Sequence, residues 1–193
     1  MDETCRIGSM KDEKYVCPSK LSWTLDNFIR KQLHNPYKIF SRFVNKEMIV
    51  VDIGCGPGFF TECFAELTGV KGLVIAADLQ DEMLEAVKKK IKGKEIEKRI
   101  LLHKCQTDSI GIDIQVDFVN AFYMVHEVPD SSGLIKEIYK ILKSGGIFFI
   151  SEPKIHVSKD EFNKTVKLAE DSGFKLIEQP RICMSRTAVF KKD

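Results

Sequence analysis

The sequence has no apolar run that approaches the ~20 residues needed to cross a bilayer, and its first residues lack the apolar core of a signal peptide. We therefore expect no membrane span and a cytoplasmic location. Its six cysteines form no C-x-x-C pair, and several fall inside predicted strands or helices, where buried thiols are common. This pattern favours a reducing compartment and disfavours a structural zinc site.

The chain also lacks a strong charge imbalance, because its formal net charge is +2 over 193 residues. No lysine and arginine cluster is interleaved with aromatic side chains, and the basic run at residues 88–90 fits the solvated face of a helix. We therefore expect no nucleic-acid partner. Contents of 44% hydrophobic and 30% charged residues are typical of one globular α/β domain.

A glycine-rich turn dominates what the sequence does contain. An apolar strand over residues 48–53 leads into glycines at alternate positions, Gly54, Gly56 and Gly58, and a helix follows from near Phe59. Missing β-carbons let a ligand lie against the backbone, and the free N–H groups of the helix start face that ligand. Asp52, just inside the strand end, suits a cationic group better than a phosphate.

A second acid follows at the expected distance. Asp78 lies twenty residues after Gly58 and ends the apolar run 73–78. An acid at the end of a second strand is placed to accept hydrogen bonds from both hydroxyls of a ribose. A dinucleotide site fits less well, since the glycines follow G-x-G-x-G and Asp52 would oppose a pyrophosphate.

These residues resemble the class I S-adenosylmethionine-dependent methyltransferases, whose first motif looks like residues 52–58 and whose ribose-binding acid looks like Asp78. Residues 116–130 are similar to the small-molecule branch that includes quinone-biosynthesis and arsenite methyltransferases, and the overlap spans about residues 37–152. The resemblance implies S-adenosylmethionine as cofactor and a small-molecule methyl acceptor. Arsenite enzymes use several cysteines around the acceptor, whereas only Cys17 and Cys105 are candidates here. A thiol or metalloid acceptor that uses Cys17 stays open as an alternative.

The regular alternation of strands and helices predicts an α/β fold, a single Rossmann-like doubly wound sheet. The resemblance implies seven strands in the order 3-2-1-4-5-7-6, with the last strand antiparallel. The predicted strands are 48–53, 73–78, 100–104, 116–122, 147–150, 174–179 and 185–190. The predicted helices are 59–68, 81–92, 132–142 (followed by a cap and turn at 143–146) and 158–173, the last with a capping box at its start.

Two segments are expected. Residues 1–44 form an N-terminal arm with lid helices, and residues 45–193 form the S-adenosylmethionine-binding core. Leu25, Phe28, Ile29 and Leu33 recur at helical spacing, and Pro36 opens a second short helix. The lid role follows from the resemblance, and packing of these helices against the sheet is the alternative.

Ligands of open α/β sheets lie at the carboxyl ends of the strands. The expected cofactor-binding residues are therefore Asp52, Gly54, Cys55, Gly56, Gly58, Asp78, Leu79, Met83, Gln106, Thr107, Asp108, Ala121 and Phe122. Met83 could pack on the adenine or belong to the core. Any one of residues 106–108 could contact the adenine.

The candidate catalytic residues are His126, Glu152 and His156, which follow the fourth and fifth strands and would project from the same edge of the sheet. Methyl transfer mainly requires alignment and desolvation of the acceptor. A base is needed only if the acceptor loses a proton near neutral pH, a task that suits histidine, and His126 is the first candidate. His126 could instead cap a helix, and a metal site of histidines and glutamates is a remote alternative, so no metal is predicted.

The sequence thus predicts a methyltransferase that uses S-adenosylmethionine on an unidentified small molecule. The alternative is a regulatory or partner protein that binds the cofactor without turnover, and a nicotinamide-dependent oxidoreductase ranks third. The oligomeric state cannot be read from the sequence.

Overall fold

A computed structural model of the protein describes residues 34–193. The predicted helical pattern from Leu25 to Leu33 and Cys17, the candidate residue for a thiol or metalloid acceptor, lie outside the described residues. The helices are α1 (Pro36–Phe40), α2 (Thr61–Thr68), α3 (Asp81–Ile91), α4 (Ser131–Ile141) and α5 (Lys159–Asp171). The strands are β1 (Ile49–Ile53), β2 (Leu73–Asp78), β3 (Ile100–Lys104), β4 (Val116–Phe122), β5 (Leu142–Pro153), β6 (Phe174–Glu178) and β7 (Ser185–Lys192).

The strands form one seven-stranded sheet in the order β3-β2-β1-β4-β5-β7-β6. The pairs from β3 through β5 are parallel, and β7 runs antiparallel to both β5 and β6. The predicted α/β class, strand order and antiparallel last strand are therefore confirmed. The strand order reverses between β1 and β4. Open α/β sheets bind ligands at this point, beside the carboxyl ends of the strands.

Successive residues of the central strands point to opposite faces of the sheet and so belong to two separate hydrophobic cores. Val51 and Val119 belong to a core that includes Ile135 of α4 and Phe162 of α5. Their neighbours Val50 and Phe118 belong to the opposite core, with Phe64 of α2 and Val87 of α3. Helices thus cover both faces, which explains why the central strands are almost wholly apolar.

Two boundaries differ from the prediction. Helix α2 begins at Thr61 rather than Phe59, because Phe59 and Phe60 are buried in the turn that precedes it. The predicted turn at 143–146 is instead a bulge inside β5, where pairing jumps from Leu142 to Ile147. Gly145 there has φ +78°, and the Lys143 Nζ donates a hydrogen bond to Asp117 Oδ1 at 2.6 Å. The predicted capping box at Ser158 and Glu161 is present.

Helix α1 packs on a face of the sheet. Phe40 is fully buried, and its ring makes edge contacts with Phe64 and Phe149 at centroid distances of 4.7 and 4.9 Å. The alternative of packing against the sheet therefore describes α1, and the lid role of the segment before it stays a prediction. Among residues 34–193, no helix is long and apolar enough to cross a membrane.

Candidate functional site

A cavity of about 630 Å³ opens at the carboxyl edge of the sheet. One half is formed by the residues that follow β1, β2 and β3, and the other half by those that follow β4 and β5. Its volume lies within the range of about 300–1,000 Å³ that is typical of small-molecule sites. We call these the β1–β3 half and the β4–β5 half of the cavity.

The three glycines after β1 have different surroundings, although all have positive φ. A β-carbon on Gly54 would lie 2.8 Å from Met124 Cβ, and one on Gly58 would lie 3.1 Å from Val87 Cγ2. A β-carbon on Gly56 would meet nothing within 4 Å, and Gly56 lines the cavity. Gly54 and Gly58 therefore allow close packing of the protein, whereas Gly56 leaves open backbone for a ligand.

Asp52 is buried beneath this turn, with 2% of its surface exposed. Thr61 Oγ1 donates to Asp52 Oδ2 at 2.8 Å, and Asn120 Nδ2 donates to Asp52 Oδ1 at 2.8 Å. The carboxylate thus ties β1 to α2 and β4. Because it lies at the floor of the cavity, its negative charge also favours a cation there.

Asp78 lies beside Gly56 at the end of β2. Its Oδ2 accepts a hydrogen bond from the Gly56 N–H and its Oδ1 accepts one from the Gln80 N–H, both at 2.9 Å. Burial raises the pKa of Asp78 above the ordinary 3.8, and these backbone donors partly oppose the rise. The carboxylate is therefore fixed in orientation toward the cavity, where it can accept further hydrogen bonds from hydroxyl groups.

The lining of the cavity is rich in acidic side chains. Among the described residues that line it, there is no lysine or arginine. Six carboxylate residues do line it: Asp52, Asp78, Asp108, Glu127, Asp130 and Glu137. Such a lining attracts a cationic ligand and repels a pyrophosphate or a nucleic-acid phosphate.

A histidine–glutamate pair stands in the β4–β5 half. Glu152, only 1% exposed, accepts a hydrogen bond from the Val125 N–H at 2.9 Å through Oε1, and its Oε2 accepts one from His126 Nδ1. Because a carboxylate only accepts, Nδ1 carries a proton, so the other nitrogen of a neutral His126 ring can take one up. Glu152 itself is not among the residues that line the cavity, whereas His126 is.

The negative charges around His126 favour its action as a base. Burial lowers the pKa of its imidazole, but the hydrogen bond and charge of Glu152, with the charge of Glu127, outweigh burial and raise the pKa above the ordinary 6.5. The His156 ring stacks on it at 5.9 Å with an interplanar angle of 10°. The three candidate catalytic residues are therefore neighbours, and Glu152 is situated to orient His126 rather than to contact an acceptor.

Most of the expected cofactor-binding residues line the cavity. These are Asp52, Gly54, Cys55, Gly56, Asp78, Leu79, Met83, Gln106, Thr107, Asp108 and Phe122. Gly58 and Ala121 do not, because Gly58 packs on Val87 and Ala121 is fully buried in a core. Met83 is both 2% exposed and part of the lining.

Sequence reasoning missed several lining residues, including Phe59, Phe60, Gln80 and Met124. Gln80 and Met124 follow the ends of β2 and β4 by two residues, and that position was the available signal. Tyr123, directly after β4, was expected at this edge of the sheet but without a role. Nothing in the local pattern marks Phe59 and Phe60 as cavity residues rather than core residues, and they are also buried in a core.

Two thiols, Cys55 and Cys105, line the cavity. Burial raises the pKa of Cys105 to about 12, and burial raises that of Cys55 as well. Burial therefore disfavours the thiolate form of both side chains, which makes them poor nucleophiles. No three histidine, cysteine or acidic side chains within residues 34–193 are placed to hold a metal ion.

Comparison with known proteins also indicates a methyltransferase. The family described as "Methyltransferase domain" matches residues 51–150. A demethylmenaquinone methyltransferase of Lactobacillus johnsonii is 34% identical over 129 residues, which are 65% of this chain and 50% of that protein. The ubiquinone/menaquinone biosynthesis C-methyltransferase UbiE of Shewanella sediminis is 27% identical over 149 residues, 75% of this chain and 58% of that one. This chain thus spans about half the length of the curated relatives that it matches.

Among solved structures, an S-adenosylmethionine-dependent methyltransferase of Aquifex aeolicus shares the fold. The two superpose with a TM-score of 0.81 at 23% identity, over 91% of this chain and 98% of the other. At that identity the likeness concerns the fold alone.

Proposed function

Since this chain belongs to the methyltransferase domain family, we propose that it transfers a methyl group from S-adenosylmethionine to an uncharged small molecule, an aromatic quinol. The resemblance to class I enzymes of the quinone-biosynthesis branch is confirmed, and S-adenosylmethionine is the cofactor. This cofactor supplies a methyl group on a positively charged sulfur. The observation that carries the proposal is the acidic, lysine-free and arginine-free lining of the cavity.

In the β1–β3 half, the proposal assigns the cofactor to residues of three strand ends. Gly56 leaves backbone open to the methionine part, and Asp78 accepts hydrogen bonds from the ribose hydroxyls. Asp52 contributes its negative charge from beneath the turn, because its two oxygens are already hydrogen-bonded. The same charges disfavour a nicotinamide dinucleotide, whose pyrophosphate would face carboxylates without a compensating lysine or arginine.

In the β4–β5 half, the proposal assigns the acceptor. One relative is named a demethylmenaquinone methyltransferase and the other a C-methyltransferase of ubiquinone and menaquinone biosynthesis. A reduced quinone ring is planar, uncharged and bears acidic hydroxyl groups. His126, oriented by Glu152, would take the proton of one hydroxyl while a ring carbon bonds to the methyl group. The electron pair of the methyl–sulfur bond would stay on sulfur, the proton displaced from the ring carbon would leave to solvent, and His126 would return its proton to the hydroxyl oxygen.

The cofactor is tested by calorimetric titration with S-adenosylmethionine, S-adenosylhomocysteine and, as control, NAD. We expect micromolar binding of the first two alone. Binding of NAD alone would overturn the assignment and favour an oxidoreductase.

The reaction is tested by methylation of 1,4-naphthalenediol under reducing conditions, followed by mass spectrometry. Replacement His126→Gln should lower turnover by roughly 100- to 10,000-fold, the usual contribution of a general base, while S-adenosylhomocysteine affinity stays unchanged. Cofactor binding without methylation of this or any other quinol would favour the alternative of a binding protein without turnover. Equal turnover in the variant would reduce His126 to a structural role.

A further inference from the structure

A second group of polar side chains lies beside the β4–β5 half of the cavity, and nothing above gives it a role. It joins three distant parts of the chain: His34, Tyr123 and the residues at the start of β7. Tyr123 lines the cavity and follows β4 directly. His34 and Ser185 are 4% and 5% exposed, and both lie within hydrogen-bond distance of the Tyr123 hydroxyl.

The hydrogen bonds of this group have one consistent direction. Ser185 Oγ donates to the Cys183 carbonyl at 3.0 Å, and His34 Nε2 lies 2.9 Å from the same carbonyl. Because a carbonyl only accepts, both protons point to it, and Ser185 must accept the proton of the Tyr123 hydroxyl at 2.5 Å. The Tyr123 hydroxyl oxygen also lies 3.2 Å from His34 Nε2, so the His34 N–H is shared between this oxygen and the Cys183 carbonyl. The phenol is thus held through both its proton and its oxygen.

The backbone at this group is strained. Among residues 34–193, the residues other than glycine with positive φ are Glu47, Tyr123 and Met184. Tyr123 has φ +66°, and Met184, next to Ser185, has φ +58°. Such conformations persist where the surrounding contacts enforce them, and they concentrate at functional sites. Two of the three therefore meet at the hydrogen-bonded group that fixes one aromatic ring of the cavity.

We propose that Tyr123 is an acceptor-positioning residue, whose ring forms the face on which a planar acceptor lies beside His126, and that His34 and Ser185 hold this ring in place. The inference rests on the proposed function, because it needs a planar acceptor in the β4–β5 half. Tyr123 and His126 follow the same strand three residues apart, and both line the cavity. The ring restricts the orientation of the acceptor, while His126 receives its proton.

The test is Tyr123→Phe, which keeps the ring and removes the hydroxyl that holds it. With 1,4-naphthalenediol as acceptor, we expect its KM to rise about three- to tenfold, the effect of losing roughly one or two neutral hydrogen bonds. The affinity for S-adenosylhomocysteine should not change. Ser185→Ala should give the same rise, and the double variant should be no worse than either, since both remove one link. Tyr139→Phe is the matched control, because Tyr139 packs on Phe174 away from the cavity.

The outcomes separate this inference from the proposed function. If the wild-type protein methylates the diol and Tyr123→Phe has an unchanged KM, the inference fails and the proposed function stands. The inference also fails if Tyr123→Phe and Ser185→Ala add, or if cofactor affinity falls in step with KM, because a general loss of structure would do both. If the wild-type protein binds cofactor but methylates no quinol, the proposed function fails and this inference falls with it.

Discussion

The substitution Gly56→Ala separates the ligand-binding role of the glycine turn from its structural role. An alanine at φ +54° costs about 1 kcal/mol of folding free energy, once the lower entropy of its unfolded state offsets part of the strain. That cost lowers the melting temperature by roughly 2–4 °C in a domain of this size. The added methyl group meets no protein atom within 4 Å, so it projects into the space proposed for the cofactor.

Gly93→Ala is the matched control, because Gly93 has φ +75°, also meets nothing within 4 Å and lies outside the cavity. Both variants should lose similar stability in urea titrations. Only Gly56→Ala should weaken S-adenosylhomocysteine binding in calorimetry, by about 1–3 kcal/mol as for other overpacked contacts, or roughly 5- to 150-fold. Gly54→Ala should unfold most easily, since its β-carbon would overlap Met124. If Gly56→Ala bound the cofactor as tightly as Gly93→Ala, the cofactor would not lie on this turn.

Further predictions concern the ionisable groups. Asp78→Asn should weaken S-adenosylhomocysteine binding by about 1.5–3 kcal/mol, whereas exposed Asp81→Asn should not. Burial raises the pKa of Asp78, so the affinity of the wild-type protein for S-adenosylhomocysteine should begin to fall at a higher pH than an ordinary carboxyl would cause. Calorimetry at several pH values measures this fall. If Asp78→Asn showed the same pH dependence of affinity, Asp78 would not be its cause. Glu152→Gln removes the charge that raises the pKa of His126, so the acidic limb of the kcat/KM profile should move to lower pH, and an unmoved limb would exclude His126 as the base. The pair's contribution to stability is fully present below the ordinary histidine pKa of 6.5 and is lost as pH rises through the raised value; urea midpoints should show this loss in the wild-type protein but not in His126→Gln.

The fold was predictable because its signals are local. Apolar runs of strand length alternate with amphipathic helical segments, and the boundaries of β2, β3 and β4 agree with the predicted ranges. The errors fall where tertiary contacts override local pattern. Helix α2 starts late because Phe59 and Phe60 are buried in the turn. Residues 143–146 form a bulge in β5, beside the hydrogen bond from Lys143 to Asp117 of the neighbouring strand.

The candidate site was only partly predictable. The sequence indicated the strand ends that would meet, but not which side chains there would bind one another. Glu152 was predicted as a further candidate base behind His126, whereas its burial and its bond to the Val125 N–H support the orienting role that we propose for it. The three glycines look alike in sequence, yet only the surroundings of Gly56 leave space for a ligand.

The sequence by itself determined the order of elements, the apolar cores and the turn with its two acids, because these depend on residues close together in the chain. Only the tertiary structure decided the pairing of His126 with Glu152, the hydrogen bonds of Tyr123 with His34 and Ser185, and the acidic lining of the cavity. Hydrogen bonds act over about 3 Å. Strand register and the paths of loops fix such distances, and no local pattern encodes them.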